Sequence, residues 1–147
     1  MTTNRILGID FGEKRIGIAV SDPLMITAQP LPTLKIKNPA EIFIELGKII
    51  SEKNISEVVV GMPLNLKGQK GLTAKKVEEF IQKLKEKFHL PVLEWDERFT
   101  SFVAERIIKE MGKSPSRNKA KVDQISAVLI LQGFLDHLKI ANDKADS

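Results

Sequence analysis

The chain contains no cysteine, only two histidines and few aromatic residues, which make up 5% of its 147 residues. Without cysteine it can form neither a disulfide nor a thiolate metal site, which is consistent with the cytoplasmic location that we expect. His89 and His137 have no partner at metal-ligand spacing, so we predict no histidine site. No apolar run reaches the length of a signal-peptide core or a membrane span, and we expect no membrane association.

The remaining composition is typical of a globular domain, with 42% hydrophobic and 29% charged residues. The length predicts a single domain over residues 1–140, followed by a polar, frayed tail at 141–147. A net charge of +4 and a pI near 9.3 permit an anionic partner such as nucleic acid but do not require one. Neither an internal repeat nor a linker divides the chain.

The segment from Arg5 to Asp22 organises the rest of the chain. Two β-branched runs, Ile6–Ile9 and Ile16–Val20, flank a polar turn at Gly12 and predict a β-hairpin. Asp10 ends the first strand, at the rim of a sheet that should be buried. A buried carboxylate is unfavourable unless it is paired or holds a cation. The alternative is a turn carboxylate that accepts hydrogen bonds from the Gly12 region.

Hydrophobic periodicity predicts the order β-β-β-α-β-α-β-α-α, a mixed sheet with helices on its faces. After the hairpin we predict an edge strand at 33–36, which follows two prolines, a helix from Asn38-Pro39 to Lys53, and a buried strand at 57–61. A loop at 65–71 then leads to a helix with an apolar stripe from Val77 to Phe88 and to a strand at Val92–Trp95. The last elements are a helix capped by Thr100-Ser101 and ended by Gly112, a mobile basic loop at 113–121, and a helix over Val122–Lys139.

Acidic residues fall at three element ends: Asp10, the pair Asp96-Glu97, and Asp123 at the start of the last helix. Sites in α/β sheets form at the carboxyl ends of strands, so these carboxylates could meet. Clustered carboxylates without histidine or cysteine suit Mg²⁺ or Mn²⁺, which can support phosphodiester hydrolysis. The alternatives are a salt bridge from Asp96-Glu97 to Arg98 and compensation of the helix dipole by Asp123.

Four blocks in order, I-D-F-G-x-K-R-I-G-I-A-V-S-D, V-V-V-G-M-P-L-N, D-E-R-F-T-S and K-V-D-x-x-S-A, resemble the YqgF or RuvX-like family. Its members are described as candidate pre-16S rRNA nucleases or candidate Holliday junction resolvases. The resemblance implies a ribonuclease H-like α/β fold whose five-stranded mixed sheet has the order 3-2-1-4-5, with helices on both faces. It also implies that Asp10, Glu97 and Asp123 are the catalytic residues and the ligands of Mg²⁺ or Mn²⁺, with Asp96 as the reserve ligand.

One loop departs from the family pattern. Relatives commonly carry M-D-G-T after the second block, whereas this chain has Leu66-Lys67-Gly68-Gln69. Lys67 therefore stands where the family has an acid, and any role of that acid is absent or moved in this chain.

Basic residues supply candidate contacts to nucleic-acid phosphates. They fall in one patch around the 65–71 loop, which also holds Lys75 and Lys76, and a second at 113–121 that contains no acid; solvated surface lysines are the alternative. Arg98 could bind a phosphate or pin a neighbouring carboxylate. The candidates are Lys14, Arg15, Lys67, Lys70, Arg98, Lys113, Arg117, Lys119 and Lys121. Phe11 and Phe99 are expected to pack in the core, so backbone and shape recognition should outweigh base stacking.

These features predict a metal-dependent endonuclease acting on structured nucleic acid, with processing of the 5′ end of pre-16S rRNA as the first choice. The alternatives are a Holliday junction resolvase acting on branched DNA, and a non-catalytic nucleic-acid-binding module acting in transcription. A nucleotide-binding ATPase or sugar-kinase-like protein ranks last. Proteins of that class use an I-D-F-G hairpin together with a second, similar domain, and 147 residues hold only one such domain. The sequence leaves monomer and homodimer open.

Overall fold

A computed structural model describes residues 4–145, and within that range the chain forms one five-stranded sheet with helices on both faces. The strands are β1 (Arg5–Phe11), β2 (Arg15–Ser21), β3 (Ala28–Lys35), β4 (Ile55–Met62) and β5 (Val92–Asp96). The helices are α1 (Pro39–Glu52), α2 (Leu72–Phe88), α3 (Thr100–Glu110) and α4 (Lys119–Ala145), with a short 3₁₀ turn at Pro115–Arg117. No helix among these residues is both long and apolar enough to cross a bilayer.

The strand order is β3-β2-β1-β4-β5, as predicted. β1 pairs antiparallel with β2 and parallel with β4, and β4 pairs parallel with β5. The carboxyl ends of β1, β4 and β5 therefore meet at one edge of the sheet. This edge holds Asp10 at the end of β1 and the Asp96-Glu97 pair at the end of β5.

Alternation along the strands builds two cores, one on each face of the sheet. Leu7 and Ile9 of β1 belong to a large core that includes buried residues of α1 and α2. Ile6 of β1, together with Ala19 and Val59, faces α4, where the packing residues are Ala127, Ile130, Leu131, Phe134 and Leu135. The α4 face is the smaller core and is the one that continues towards Asp10.

Several predicted boundaries agree with the structure. Asn38 caps α1, because its side-chain oxygen accepts a hydrogen bond from the Ala40 N–H at 3.0 Å, and Pro39 follows in the first turn. β3 lies at the sheet edge, where its prolines are tolerated, but it begins at Ala28 rather than near residue 33. Gly112 follows α3 with a φ of 77°, a conformation that favours glycine.

Other boundaries were wrong. Neither Thr100 nor Ser101 caps α3, since both lie inside the helix and no side chain caps its start. The 113–121 segment is a 3₁₀ turn followed directly by α4, which begins at Lys119 rather than at Val122. The α4 helix continues to Ala145, beyond the predicted end at Lys139. The division into a domain of residues 1–140 and a frayed tail stays a prediction, and residues 1–3 and 146–147 lie outside the described residues.

Glycines let α4 lie directly on the sheet. A Cβ atom at Gly8 of β1 would stand 2.6 Å from Leu131 Cβ, and one at Gly17 of β2 would stand 2.0 Å from the Asp123 carbonyl oxygen. The second contact is with backbone, which cannot turn aside as a flexible side chain can. Gly17 therefore fixes how closely the Asp123 backbone approaches the hairpin.

We expect Gly17→Ala to lower the free energy of unfolding by at least about 2 kcal/mol, because its methyl group would push the start of α4 off β2. Gly71→Ala is the matched control, since a Cβ atom there meets nothing within 4 Å. Urea denaturation of both variants provides the measurement. An unchanged midpoint for Gly17→Ala would show that α4 does not depend on this contact.

Candidate active site

Asp10 and Glu97 meet where the parallel strands end. Asp10 lies on the α4 face of β1, in phase with Ile6 and Gly8. Glu97 directly follows β5, and its backbone N–H donates to the Met62 carbonyl at 3.1 Å. Its carboxyl group lies over Gly61, where an added Cβ atom would stand 2.9 Å from Oε2. The missing side chain at Gly61 thus leaves the room that Glu97 occupies beside Asp10.

The two carboxyl groups are electrostatically strained. Burial raises the pKa of Asp10, and the nearby charge of Asp123 raises it further. Burial also raises the pKa of Glu97, and the charge of Asp10 and a hydrogen bond to it add to this effect. Without a cation the pair tends to retain a proton, because two adjacent buried carboxylates cannot both ionise easily.

The pair meets the chemical requirements of a divalent cation. Glu97 Oε2 is buried and has no hydrogen-bond partner among the described residues. A buried polar atom without a partner calls for an explanation, and a bound cation supplies one. The donors are carboxylate oxygens, which suit Mg²⁺ or Mn²⁺.

Asp123 lies beside this pair but is engaged elsewhere. Its Oδ2 accepts a hydrogen bond from Arg15 Nε at 2.7 Å, and the two side chains are 21% and 28% exposed. Asp123 is close enough to Asp10 to affect the pKa of Asp10. Within residues 4–145, however, no group of three or more His, Cys, Asp or Glu side chains is arranged to hold a metal ion. The structure therefore brings together two of the predicted three carboxylates and holds the third on an arginine.

Asp96, the reserve ligand, forms a surface ion pair. Its Oδ2 accepts from Arg98 Nη2 at 2.6 Å, and Arg98 lowers the pKa of the Asp96 carboxyl group. Arg98 Nη1 also donates to the Leu66 carbonyl at 3.3 Å, which ties the 65–71 loop to the end of β5. Arg98 thus holds a neighbouring carboxylate, which is one of the two roles predicted for it; the other was binding of a phosphate. The geometry favours Glu97 over Asp96 as the ligand.

The simpler explanations for Asp10 and Asp123 do not describe this structure. Asp10 accepts no hydrogen bond from the Gly12 turn within the part of the chain that the structure describes. Asp123 lies one turn inside α4, whose first turn contains no acid, and it pairs with Arg15 instead of compensating the helix dipole.

The two basic patches differ in how much of their charge is free. In the first, Lys70 pairs with Glu78 at 2.9 Å and with Glu94 at 3.5 Å, and Lys76 pairs with Glu13, whereas Lys67 is exposed. The second patch is exposed, and it comprises Lys113, Arg117, Lys119 and Lys121. Lys119 and Lys121 belong to the start of α4 rather than to a loop. Lys14 is exposed in the hairpin turn, next to Arg15.

Aromatic placement is partly as expected. Phe11 stacks on Phe80 with ring centroids 4.4 Å apart, which confirms its packing role. The prediction for Phe99 was wrong, because it is 60% exposed at the start of α3, next to Phe102 at 68%. In α3 itself only Ala104 and Ile108 are buried.

Sequence reasoning missed the roles of Gly17 and Gly61. Both interrupt strands rich in β-branched residues, and a glycine inside a strand often marks a close approach of another segment. That signal was available in the sequence. The pairing of Arg15 with Asp123 joins residues 108 positions apart, and no local pattern indicates it.

Comparisons with known proteins identify the relatives of this chain. Among curated relatives, a protein of Koribacter versatilis is 47% identical over 95% of this chain and 92% of its own. One of Ruminiclostridium cellulolyticum is 44% identical over 95% of this chain and 98% of its own. Both are named "Putative pre-16S rRNA nuclease".

Solved structures share the fold at low identity. RuvC of T. thermophilus, in complex with a Holliday junction substrate, has a TM-score of 0.54 at 13% identity and covers 91% of this chain and 95% of its own. Fowlpox virus resolvase, in complex with Holliday junction DNA, has a TM-score of 0.55 at 14% identity, covering 91% of this chain and 98% of its own. The fold is thus ribonuclease H-like, as predicted.

The family model described as "RuvX: Holliday junction resolvase" matches residues 4–137. This range includes the β1–β2 hairpin, the end of β5 and the first two-thirds of α4, and so all three predicted acids. The match confirms the resemblance drawn from the four sequence blocks. The chain belongs to the RuvX family.

Proposed function

We propose that this protein is a metal-dependent endonuclease that hydrolyses phosphodiesters in structured nucleic acid and processes the 5′ end of pre-16S rRNA. The observation that carries the proposal is the buried Asp10–Glu97 pair with its unpartnered Glu97 Oε2. Such a pair is destabilising in a purely structural role, because burial and mutual repulsion both oppose its ionisation. It becomes favourable when a divalent cation binds.

Asp10 and Glu97, together with Asp123, are the residues that would hold Mg²⁺ or Mn²⁺. When bound, the metal would neutralise charge on the scissile phosphate and make a water molecule more acidic. The chain itself supplies the cationic surface that binds and orients the substrate, from Arg15 and the lysines at the start of α4. This surface includes Asp123, which is close enough to Asp10 to raise its pKa, so a phosphate backbone bound there would lie near the proposed metal site.

The substrate follows from the names of the relatives. The curated relatives support pre-16S rRNA, and the two resolvase structures support branched DNA as the second candidate. A cleavage assay on a pre-16S rRNA fragment and on a four-way DNA junction separates the two. Binding of both without cleavage of either would support the non-catalytic module instead. We propose a cytoplasmic location, where either substrate is found.

We expect Asp10→Asn to lower the cleavage rate by at least about 100-fold, since it removes a proposed metal ligand. Binding should be retained, because the loss of a negative charge does not weaken attraction to phosphate. Rates are measured with Mg²⁺ and Mn²⁺, and binding by fluorescence anisotropy in Ca²⁺. The matched control is Asp96→Asn, whose carboxylate is exposed and paired with Arg98. If both variants cleave at the wild-type rate, Asp10 does not catalyse the reaction.

The raised pKa values predict a pH-dependent stability. The ordinary values for Asp10 and Glu97 are 3.8 and 4.5, and both are raised in the folded state. Ionisation of the pair therefore opposes folding, so the pair destabilises the metal-free protein increasingly as the pH rises from these ordinary values towards the raised pKa values of about 7 for Asp10 and about 9 for Glu97. We expect a lower Tm at pH 8 than at pH 5, a smaller loss for Asp10→Asn, and recovery on addition of Mg²⁺.

Thermal unfolding followed by circular dichroism, with EDTA or with Mg²⁺, checks this prediction. Asp96→Asn serves as the control again, because its carboxyl group is exposed and hydrogen bonds from Arg98 lower its pKa. Parallel pH profiles for the wild type and Asp10→Asn would contradict the proposed strain between Asp10 and Glu97.

A further inference from the structure

The position of Asp123 raises the question of how a three-carboxylate site is completed. Arg15 Nε binds Asp123 Oδ2 at 2.7 Å, while the other two guanidinium nitrogens make no hydrogen bond with any residue from 4 to 145. These nitrogens are donors without an acceptor in a partly exposed group. An arginine with free donors next to a phosphodiester site is suited to bind a phosphate oxygen.

A cleft of about 680 Å³ opens beside this ion pair, between α3 and the start of α4. Three of its lining side chains are cationic, and three carry hydroxyl groups. Apart from Asp123 itself, Glu105 is its one acidic lining residue. The donors are Arg15, Lys109, Lys119, Ser101, Ser114 and Ser116. Cationic and hydroxyl donors facing one space match the oxygen acceptors of a phosphate group.

We propose that this cleft binds a backbone phosphate of the nucleic acid. The phosphate replaces Asp123 as the hydrogen-bond partner of Arg15, and Asp123 is then free to join Asp10 and Glu97 in holding the cation. The inference rests on the proposed function, because it concerns the same carboxylates. It makes Arg15 a positioning residue that couples substrate binding to assembly of the metal site.

Two features make this exchange possible. A partly exposed ion pair adds little net stability, so a phosphate can compete with Asp123 for the guanidinium group. The Asp123 backbone lies against Gly17, and the proposed exchange moves the Asp123 side chain while α4 stays in place. Because coupling between two ligands is reciprocal, nucleic acid and metal should each increase the affinity for the other.

The test compares Arg15→Gln with Lys14→Gln, which removes the same charge at the next position. Isothermal titration calorimetry with MgCl₂, in the absence of nucleic acid, gives the metal affinity. We expect Arg15→Gln to bind Mg²⁺ about fivefold more tightly than Lys14→Gln, since it releases Asp123 and the control does not. Arg15→Met keeps the aliphatic part of the side chain and serves as the second variant if Arg15→Gln is poorly folded.

A double-mutant cycle shows whether the gain acts through Asp123. In an Asp123→Asn background, Arg15→Gln should no longer raise the Mg²⁺ affinity. The affinity for a short labelled RNA, measured in EDTA, should fall several-fold in Arg15→Gln. Opposite changes in the two affinities distinguish the exchange from a structural role, which would weaken both.

The outcomes separate the two proposals. If Arg15→Gln and Lys14→Gln bind Mg²⁺ equally, or if the gain persists with Asp123→Asn, the exchange is refuted while the nuclease proposal stands. If the wild type binds no Mg²⁺ and Asp10→Asn changes nothing, the metal site and the exchange are refuted together.

Discussion

Two buried carboxyl groups share one small space at the end of the central strands, and this constraint governs the rest of the site. Asp10 and Glu97 each lose hydration there, and each makes ionisation of the other less favourable. The space exists because Gly61 has no side chain. A protein without a cation must leave a proton on the pair, and Glu97 Oε2 stays without a hydrogen bond in the described chain. A bound divalent cation would relieve this strain, and the proposed hydrolysis of phosphodiesters requires such a cation.

The surroundings of the pair complement it in charge. Arg98 pairs with Asp96 and hydrogen-bonds to the 65–71 loop. Cationic groups also lie at the start of α4 and along the cleft next to Asp123. A negative centre beside a positive surface suits a substrate whose backbone is anionic and whose cleavage requires a cation.

Prediction from sequence succeeded where local patterns carry the information. The β1–β2 hairpin, the Asn38-Pro39 start of α1 and the buried β4 strand follow from short-range periodicity and capping chemistry. It was less successful where long-range packing decides. The α4 helix begins earlier than its apolar residues suggest, and Phe99 is exposed although it was expected to pack in the core.

The sequence by itself determined the family and the order of the elements and named the candidate acids, because four motif blocks and a strong hydrophobic periodicity can be read without any knowledge of packing. Only the tertiary structure decided which acids stand together. Asp10 and Glu97 come from strands that are neighbours of β4 but far apart in the chain. Arg15 and Asp123 meet because glycines let α4 lie on the hairpin. Such contacts depend on distances in space between residues remote in sequence, which no local pattern encodes.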